Sequence, residues 1–381
     1  MKILFSQKIN GISGSELYLL QLLPELKRRG YDVEMLLIYP VNTGANEVFK
    51  QFLINEAIPC HELYGHGSIS FRLLDNIYKI INNGSYDLVQ SNLIHSDFWM
   101  ALVKLFFKKD MKLISVKHGY SPEYSAKYGY SFERIKSDKF FWIQKFCCKY
   151  ANLNITISKG LYNTYANHGI SSPAKVKNIY YGLTLTSPVV NETVKIPDEP
   201  YLLITGRLTG FKGHKYLIDA WKIVNLSYPN VKLYIAGDGE LRKLLEQQVT
   251  ELGLMNKIIF LGHVPNPHPL MQHSLFTIVS STWEGFGLIL LESWLNKKTV
   301  VAFDVPAMNE IIDDEVNGLL AKAKDRDDLA TKINYLLTNQ HLIAEYGDKG
   351  YQKLNSYYTL KRMADEMENI YKEVVNNKYN F

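Results

Sequence analysis

The chain has 381 residues, room for two domains with a core each, and its 46% hydrophobic and 21% charged content is that of an ordinary globular protein. No apolar run nears the ~20 residues that span a bilayer, and the first seven residues leave no space for a signal-peptide core before Lys8. Three cysteines, two of them adjacent (Cys147 and Cys148), make neither a disulfide framework nor a zinc spacing, so a reducing, cytoplasmic setting is expected.

Short β-rich runs alternate with amphipathic stretches, which predicts parallel α/β units. Residues 2–5 read as a buried strand. Residues 16–29 read as a helix with Leu17, Leu19, Leu20, Leu23 and Leu26 at mixed spacings of three and four, ended by Gly30. Strands are predicted at 33–38, 88–91, 113–116 and 154–157, and Ser158 opens a helix after the last. Over 184–199 the pattern breaks and Thr, Ser and Pro collect, with Pro188, Pro197 and then Pro200, which predicts an interdomain linker.

The pattern restarts with a strand at 201–205 and a helix at 214–224. It continues with a strand at 232–236, a helix over about 240–253, and strands at 258–261 and 276–279. A helix to residue 295 and a strand at 300–303 complete the central units. The tail, 360–375, is polar and amphipathic, with Met363, Met367, Ile370 and Tyr371 on one side. The expected fold class is α/β, with one domain over 1–185 and a second over 186–359.

Charge is unevenly spread. Residues 1–182 hold 22 Lys and Arg against 14 Asp and Glu, while the remainder holds 21 against 24. Residues 104–149 alone hold 11 basic and 4 acidic side chains, interleaved with Phe106, Phe107, Tyr120, Phe132, Phe140, Phe141, Trp142 and Phe146. That mixture suits an anionic membrane surface, where each cation adds about 1 kcal/mol. The alternative is a solvated helix face with its rings in the core.

The richest stretch for chemistry is 279–292, Val-Ser-Ser-Thr-Trp-Glu-Gly-Phe-Gly-Leu-Ile-Leu-Leu-Glu. An apolar run leads into a loop with two glycines, and an apolar helix then starts near Leu288 with Glu292 expected in its first turn. Gly285, Phe286, Gly287 and Leu288 bring backbone N–H groups to a helix N-terminus that favours an anion. Glu284 and Glu292 bracket this loop. Two acids beside an anion site suit a ligand with a central diphosphate and hydroxyl-rich sugars at both ends, since carboxylates accept from hydroxyls and amides take phosphates. Arg207 and Lys212 follow the predicted strand 201–205, on the carboxyl side where open α/β sheets bind ligands. Two cations on one loop can clasp a diphosphate and stabilise the charge that grows on it as it leaves, without a metal.

Glu284 and Glu292 match the Glu-x7-Glu motif, and the chain resembles the retaining glycosyltransferases of the GT-B fold, large family four. Gly206-Arg207-Leu208 with Lys212-Gly213 resembles that family's Gly-Arg-Leu…Lys-Gly element, and Ala236-Gly237-Asp238-Gly239 its Gly-x-Gly turn. Phe260-Leu261-Gly262, Glu310-Ile311-Ile312 and Asn317-Gly318-Leu319-Leu320 fall in the expected order.

The resemblance implies two Rossmann-like domains facing across a cleft, the first binding the acceptor and the second the donor. It implies that the tail, 360–381, packs back on the first domain. Glu292 is expected at ribose hydroxyls and Glu284 at donor-sugar hydroxyls. His118, after strand 113–116, is expected near the reacting carbon, and His95, after the preceding strand, on the acceptor side. Gly14, in Gly11-Ile12-Ser13-Gly14-Ser15-Glu16, opens a helix and lets the backbone approach the donor phosphate or the acceptor, although the family has adjacent glycines where this chain has Gly14-Ser15. Pro306-Ala307 likewise stands where the family has two glycines.

The expected function is retaining transfer of a sugar from a nucleotide-diphosphate sugar to a saccharide hydroxyl. A lipid-linked acceptor fits the basic, aromatic stretch 104–149, with surface polysaccharide, capsule or lipopolysaccharide assembly as the setting. No cofactor or metal is expected, since no Asp-x-Asp is present for a nucleotide-bound ion and His263, His268 and His273 show no ligand spacing. No nucleic-acid partner is expected either. Association with the inner face of the membrane accompanies the basic stretch. The rival readings are a nucleotide-sugar epimerase of similar fold and a non-catalytic nucleotide-sugar binder.

Overall fold

The computed structural model describes residues 1–9, 13–40, 46–65, 70–120, 139–185 and 194–379. The chain forms two compact units. Among the described residues, those up to Leu183, rejoined by those from Leu360 onward, make the first, and those within Thr184–Thr359 make the second.

The first unit holds β1 (Lys2–Lys8), α1 (Gly14–Arg28), β2 (Asp32–Pro40), α2 (Glu47–Asn55), β3 (Cys60–Gly65), α3 (Phe71–Gly84), β4 (Leu88–Asn92) and α4 (Leu93–Phe106). It continues with β5 (Leu113–Lys117), α5 (Lys139–Tyr150), β6 (Leu153–Thr156), α6 (Lys159–Asn167) and β7 (Val176–Asn178). The strands pair in parallel in the order β3-β2-β1-β4-β5-β6-β7, so the strand order reverses between β1 and β4.

Strands covered on both faces carry apolar runs rather than alternation, and β1 is buried from Ile3 to Gln7. On one face Val89 and Leu113 pack against Leu73, Leu74 and Ile77 of α3 and Met100 and Val103 of α4. The prediction had no counterpart for α2, β3 and α3. Their strand-to-helix boundary at 66–69 lies outside the described residues.

The second unit holds β8 (Tyr201–Thr205), α7 (His214–Ser227), β9 (Lys232–Ala236), α8 (Arg242–Glu251), β10 (Ile258–Gly262), α9 (His268–His273) and β11 (Thr277–Val279). It ends with α10 (Leu288–Leu295), β12 (Val300–Asp304), α11 (Met308–Ile311), β13 (Leu319–Lys322), α12 (Arg326–Thr338) and α13 (Gln340–Tyr357). Its six parallel strands run β10-β9-β8-β11-β12-β13, and the order reverses between β8 and β11. At such a reversal the loops after neighbouring strands diverge and open a crevice at their carboxyl ends.

The last helix, α14 (Leu360–Val375), belongs to the first unit. Leu360, Met363, Ala364, Met367, Ile370, Tyr371 and Val374 are buried, a stripe at helical spacing. Polar contacts fix its register. Arg29 donates to Asp365 at 2.6 Å and to Glu368 at 3.1 Å, and Arg362 donates to the carbonyl of Tyr180 at 2.6 Å.

The rings of 104–149 divide. Tyr120 and Phe141 are core residues, whereas Phe106, Phe107 and Trp142 are exposed, as is the aliphatic Ile143. Phe107 stacks on Tyr78 with centroids 4.8 Å apart. Phe132 lies outside the described residues. Among the described residues no helix is long and apolar enough to cross a membrane.

Candidate active site

The second unit gathers most of the predicted residues around the β8/β11 reversal. The loop after β8 carries Arg207 and Lys212, and the loop after β11 carries Glu284. Lys212 Nζ lies 2.5 Å from Glu284 Oε1, which also accepts from Ser281 Oγ at 2.7 Å. The two loops are sewn together: Thr282 N donates to the Phe211 carbonyl at 2.7 Å, and Ser280 Oγ to the Lys212 carbonyl at 3.0 Å. Arg207 is exposed and, among the described residues, makes no ion pair. One cation of the loop is thus held by an acid and the other is left open.

Two glycines make this proximity possible. Gly213 has φ +68°, and a Cβ there meets the Ser280 carbonyl oxygen at 1.9 Å. Gly237 has φ +157°, and a Cβ there meets the Gly206 carbonyl oxygen at the same distance. Without side chains at these points the β8, β9 and β11 loops close together.

Gly285, Phe286 and Gly287 are buried, and Leu288 is the first residue of α10. Glu292, the fifth residue of α10, therefore falls in its second turn rather than the first. Its carboxyl makes no hydrogen bond to a described residue. Burial pushes it up to about 7, partly offset by the charge of Lys212. An acid that retains protons to near neutrality and has no partner is poised to accept from a ligand hydroxyl. Ala307, the buried residue before α11, takes φ +76° and ψ −43°, a conformation in which the related family's glycine is free of Cβ strain.

A small cleft opens beside this cluster, lined by Thr205, Lys212, His214, Ser281, Glu284 and Ile289 among others. His214, the first residue of α7, was not singled out in the sequence. It is buried with neither ring nitrogen hydrogen-bonded among the described residues, and burial followed by the charge of Lys212 brings it down to about 3. A histidine next to Lys212-Gly213 carries no spacing signal, and only the fold turns it into the cleft. His268 bonds Asn296 and His273 the Pro269 carbonyl. Among the described residues no group of three His, Cys, Asp or Glu could hold a metal ion.

The first unit carries the other predicted residues at the ends of β1, β4 and β5. Gly14 is the first residue of α1, while Gly11 and Ile12 lie outside the described residues. Ser15, where the resemblance implies a glycine, is buried, and its hydroxyl turns inward to Glu16 at 3.0 Å. Glu16 also accepts from Gln7 at 2.6 Å and from the backbone and hydroxyl of Ser13, which anchors this turn to β1. His95 is exposed near the start of α4.

His118 follows β5, with Nε2 3.3 Å from Asn92 Oδ1 and its ring edge-on to Tyr18 at 5.0 Å. Burial, then the charge of Lys117, lowers it to about 3, so it is neutral at ordinary pH. Behind it lies a buried ion pair. Lys117 Nζ is 2.6 Å from Asp97 Oδ2, and Asp97 Oδ1 accepts from Ser91 and Ser115 at 2.5 Å each.

The profile of the Glycosyl transferases group 1 family matches residues 190–353, and that of Glycosyltransferase Family 4 matches residues 12–186. An uncharacterized glycosyltransferase of Methanocaldococcus jannaschii is 31% identical over 235 residues, 57% of this chain and 59% of its own length. The poly(ribitol-phosphate) alpha-N-acetylglucosaminyltransferase of Staphylococcus aureus is 25% identical over 190 residues, 48% of this chain and 38% of its own length. The chain thus spans less than two thirds of these relatives. In fold it is similar to Anabaena HepE crystallised with UDP-glucose, at a TM-score of 0.80 and 23% identity, covering 98% of this chain and all of that one.

Proposed function

The chain belongs to the glycosyl transferases of group 1, and from that premise we propose that it moves a sugar from a nucleoside-diphosphate sugar to a hydroxyl of a saccharide acceptor, with retention of configuration. The observation that carries this reading is the Lys212–Glu284 pair with Arg207 unpaired beside it and Glu292 unpartnered on α10. A diphosphate recruits Arg207 and Lys212, and Glu284, released from Lys212, accepts from donor-sugar hydroxyls. Glu292 takes the ribose hydroxyls. As the bond to the sugar breaks, charge collects on the departing phosphate oxygen, where two fixed cations do most for the rate. The departing oxygen then takes the acceptor proton on the same face.

The acceptor reading rests on the first unit. Trp142 and Ile143 stand exposed on α5 beside exposed Lys139, Lys145 and Lys149, which suits an anionic lipid surface and hence a lipid-linked acceptor. The Staphylococcus aureus relative is named for poly(ribitol-phosphate), and assembly of a surface polysaccharide is the setting we favour. Flotation with anionic vesicles at low salt checks the membrane part, and a protein that stays at the bottom of the gradient removes it.

A thermal-shift screen tests the donor site. UDP-, GDP-, ADP- and dTDP-sugars are compared with and without EDTA on wild type and Glu292→Ala. One base class is expected to stabilise the wild type, to fail on the variant and to ignore EDTA. No stabilisation by any of them overturns the reading.

A further inference from the structure

A line of buried amides and hydroxyls runs from the last helix to His118, entirely within the first unit. Tyr371 of α14 donates its hydroxyl to Gln90 Oε1 at 2.6 Å. Gln90 Nε2 faces Asn92 Oδ1 at 3.4 Å and the Tyr18 hydroxyl at 3.5 Å. Asn92 Oδ1 faces His118 Nε2 at 3.3 Å. Gln90, Asn92 and Tyr371 are fully buried and Tyr18 nearly so. Gln90 and Asn92 are two apart on β4, so both side chains leave the same face of the sheet, towards α1 and α14.

Each link has a direction. An amide presents its oxygen on one side and its NH₂ on the other, so the orientation of Gln90 dictates that of Asn92. Where Tyr371 donates, Gln90 turns its NH₂ towards Asn92, Asn92 turns its oxygen towards His118, and the imidazole proton sits on Nε2. Where every link reverses, Asn92 offers its NH₂ to Nε2, and the proton moves to Nδ1. His118 Nδ1 is buried and has no partner among the described residues. That second tautomer buries an unsatisfied N–H there, as the first arrangement does at Asn92 Nδ2, so the Tyr371 hydroxyl decides between the two.

We propose that Tyr371 is a positioning residue that sets, through Gln90 and Asn92, the tautomer and ring orientation of His118. This rests on the proposed glycosyl transfer and on the expectation, implied by the family resemblance, that His118 lies near the reacting carbon. It gives the chain's return to its first unit at Leu360 a chemical purpose besides packing: 281 residues after Gln90, the last helix delivers the hydroxyl that orients the line. The contacts of Tyr18 with His118 and Tyr181 at 5.0 and 5.8 Å hold the ring plane while the amides fix the proton.

The test is the long-range ¹H–¹⁵N spectrum of ¹⁵N-histidine-labelled full-length protein, with His118 assigned by its loss in His118→Gln. Wild type is expected to carry the proton on Nε2. Tyr371→Phe, with the fold checked by circular dichroism, is expected to give a mixture of tautomers. Adding Asn92→Asp, which can only accept, is expected to restore the Nε2 proton. With an acceptor saccharide in hand, Tyr371→Phe is expected to lower kcat roughly tenfold to a hundredfold, the cost of a misplaced group, with donor affinity unchanged. A wild-type proton on Nδ1, or a folded Tyr371→Phe with an unchanged tautomer, overturns the proposal. The spectrum needs no substrate, so a protein that fails to bind any nucleotide sugar refutes the glycosyltransferase reading without touching this result.

Discussion

Lys212 and Glu284, 72 positions apart, meet at 2.5 Å because β8 and β11 are neighbours in the sheet and the loops that follow them are bonded to each other. The pair is one-tenth to one-fifth exposed, so its net contribution to stability is small, about 1 kcal/mol or less. Its contribution to turnover is expected to be larger. Lys212→Ala and Glu284→Gln are each expected to lower kcat/KM about 10²–10³-fold, the usual cost of losing one preorganised stabilising group, with a melting temperature near that of the wild type. Steady-state transfer kinetics with calorimetry checks this. A large loss of stability with normal turnover contradicts it.

Glu292 gives a pH signature. Its carboxyl titrates near 7 in the folded protein against 4.5 when solvated, because burial disfavours the charge. The folded state then holds the proton that the unfolded chain has released, so stability falls as pH rises from 4.5 to 7 and is lower above. Donor binding prefers the ionised form, which accepts from ribose hydroxyls, so affinity for the nucleotide sugar is expected to rise from pH 6 to 8. Glu292→Gln is expected to flatten both trends. Isothermal titration in buffers of different ionisation heat reads the proton release directly.

Gly213→Ala is expected to cost about 2–5 kcal/mol, from a left-handed backbone and an overlap with the Ser280 carbonyl that only a loop shift relieves. The shift moves Lys212, so donor-induced stabilisation is expected to disappear with it. Chemical denaturation and the thermal-shift screen check the two effects separately.

The Asp97–Lys117 pair is only 1–2% exposed, and Asp97 also takes two serine hydroxyls. Lys117→Met leaves a buried carboxylate without its cation and is expected to cost about 3–5 kcal/mol. Combining it with Asp97→Leu is expected to cost less than the sum of the two single changes. A double-mutant cycle by urea denaturation measures the coupling, and additive losses contradict a direct pair.

The alternation of apolar runs was legible along the chain, because parallel strands covered on both faces must be apolar and helices must show a stripe. So were the ends of β8 and β9, and the Arg207–Lys212 and Glu284–Glu292 spacings. Less legible was β3, half-buried along its length, whereas α3 carries a clear helical stripe, Leu73, Leu74, Ile77 and Ile81, for which no element was predicted. The start of α10 at Leu288 was legible after its glycine loop, but Glu292, four residues on, lies in the second turn and not the first.

Sequence by itself determined the element types, the two-sheet architecture and the kinds of side chain that face a phosphate and a sugar, because periodicity and residue chemistry are local properties. Tertiary structure alone decided which of them meet. Strand order brought Glu284 to Lys212 and left Arg207 unpaired, and burial moved Glu292 towards neutrality and His118 away from charge. It also turned His214 into a cleft and placed Tyr371 at the end of an amide line on β4. Those outcomes depend on desolvation and on contacts between residues far apart in the chain, and neither quantity is written in local spacing.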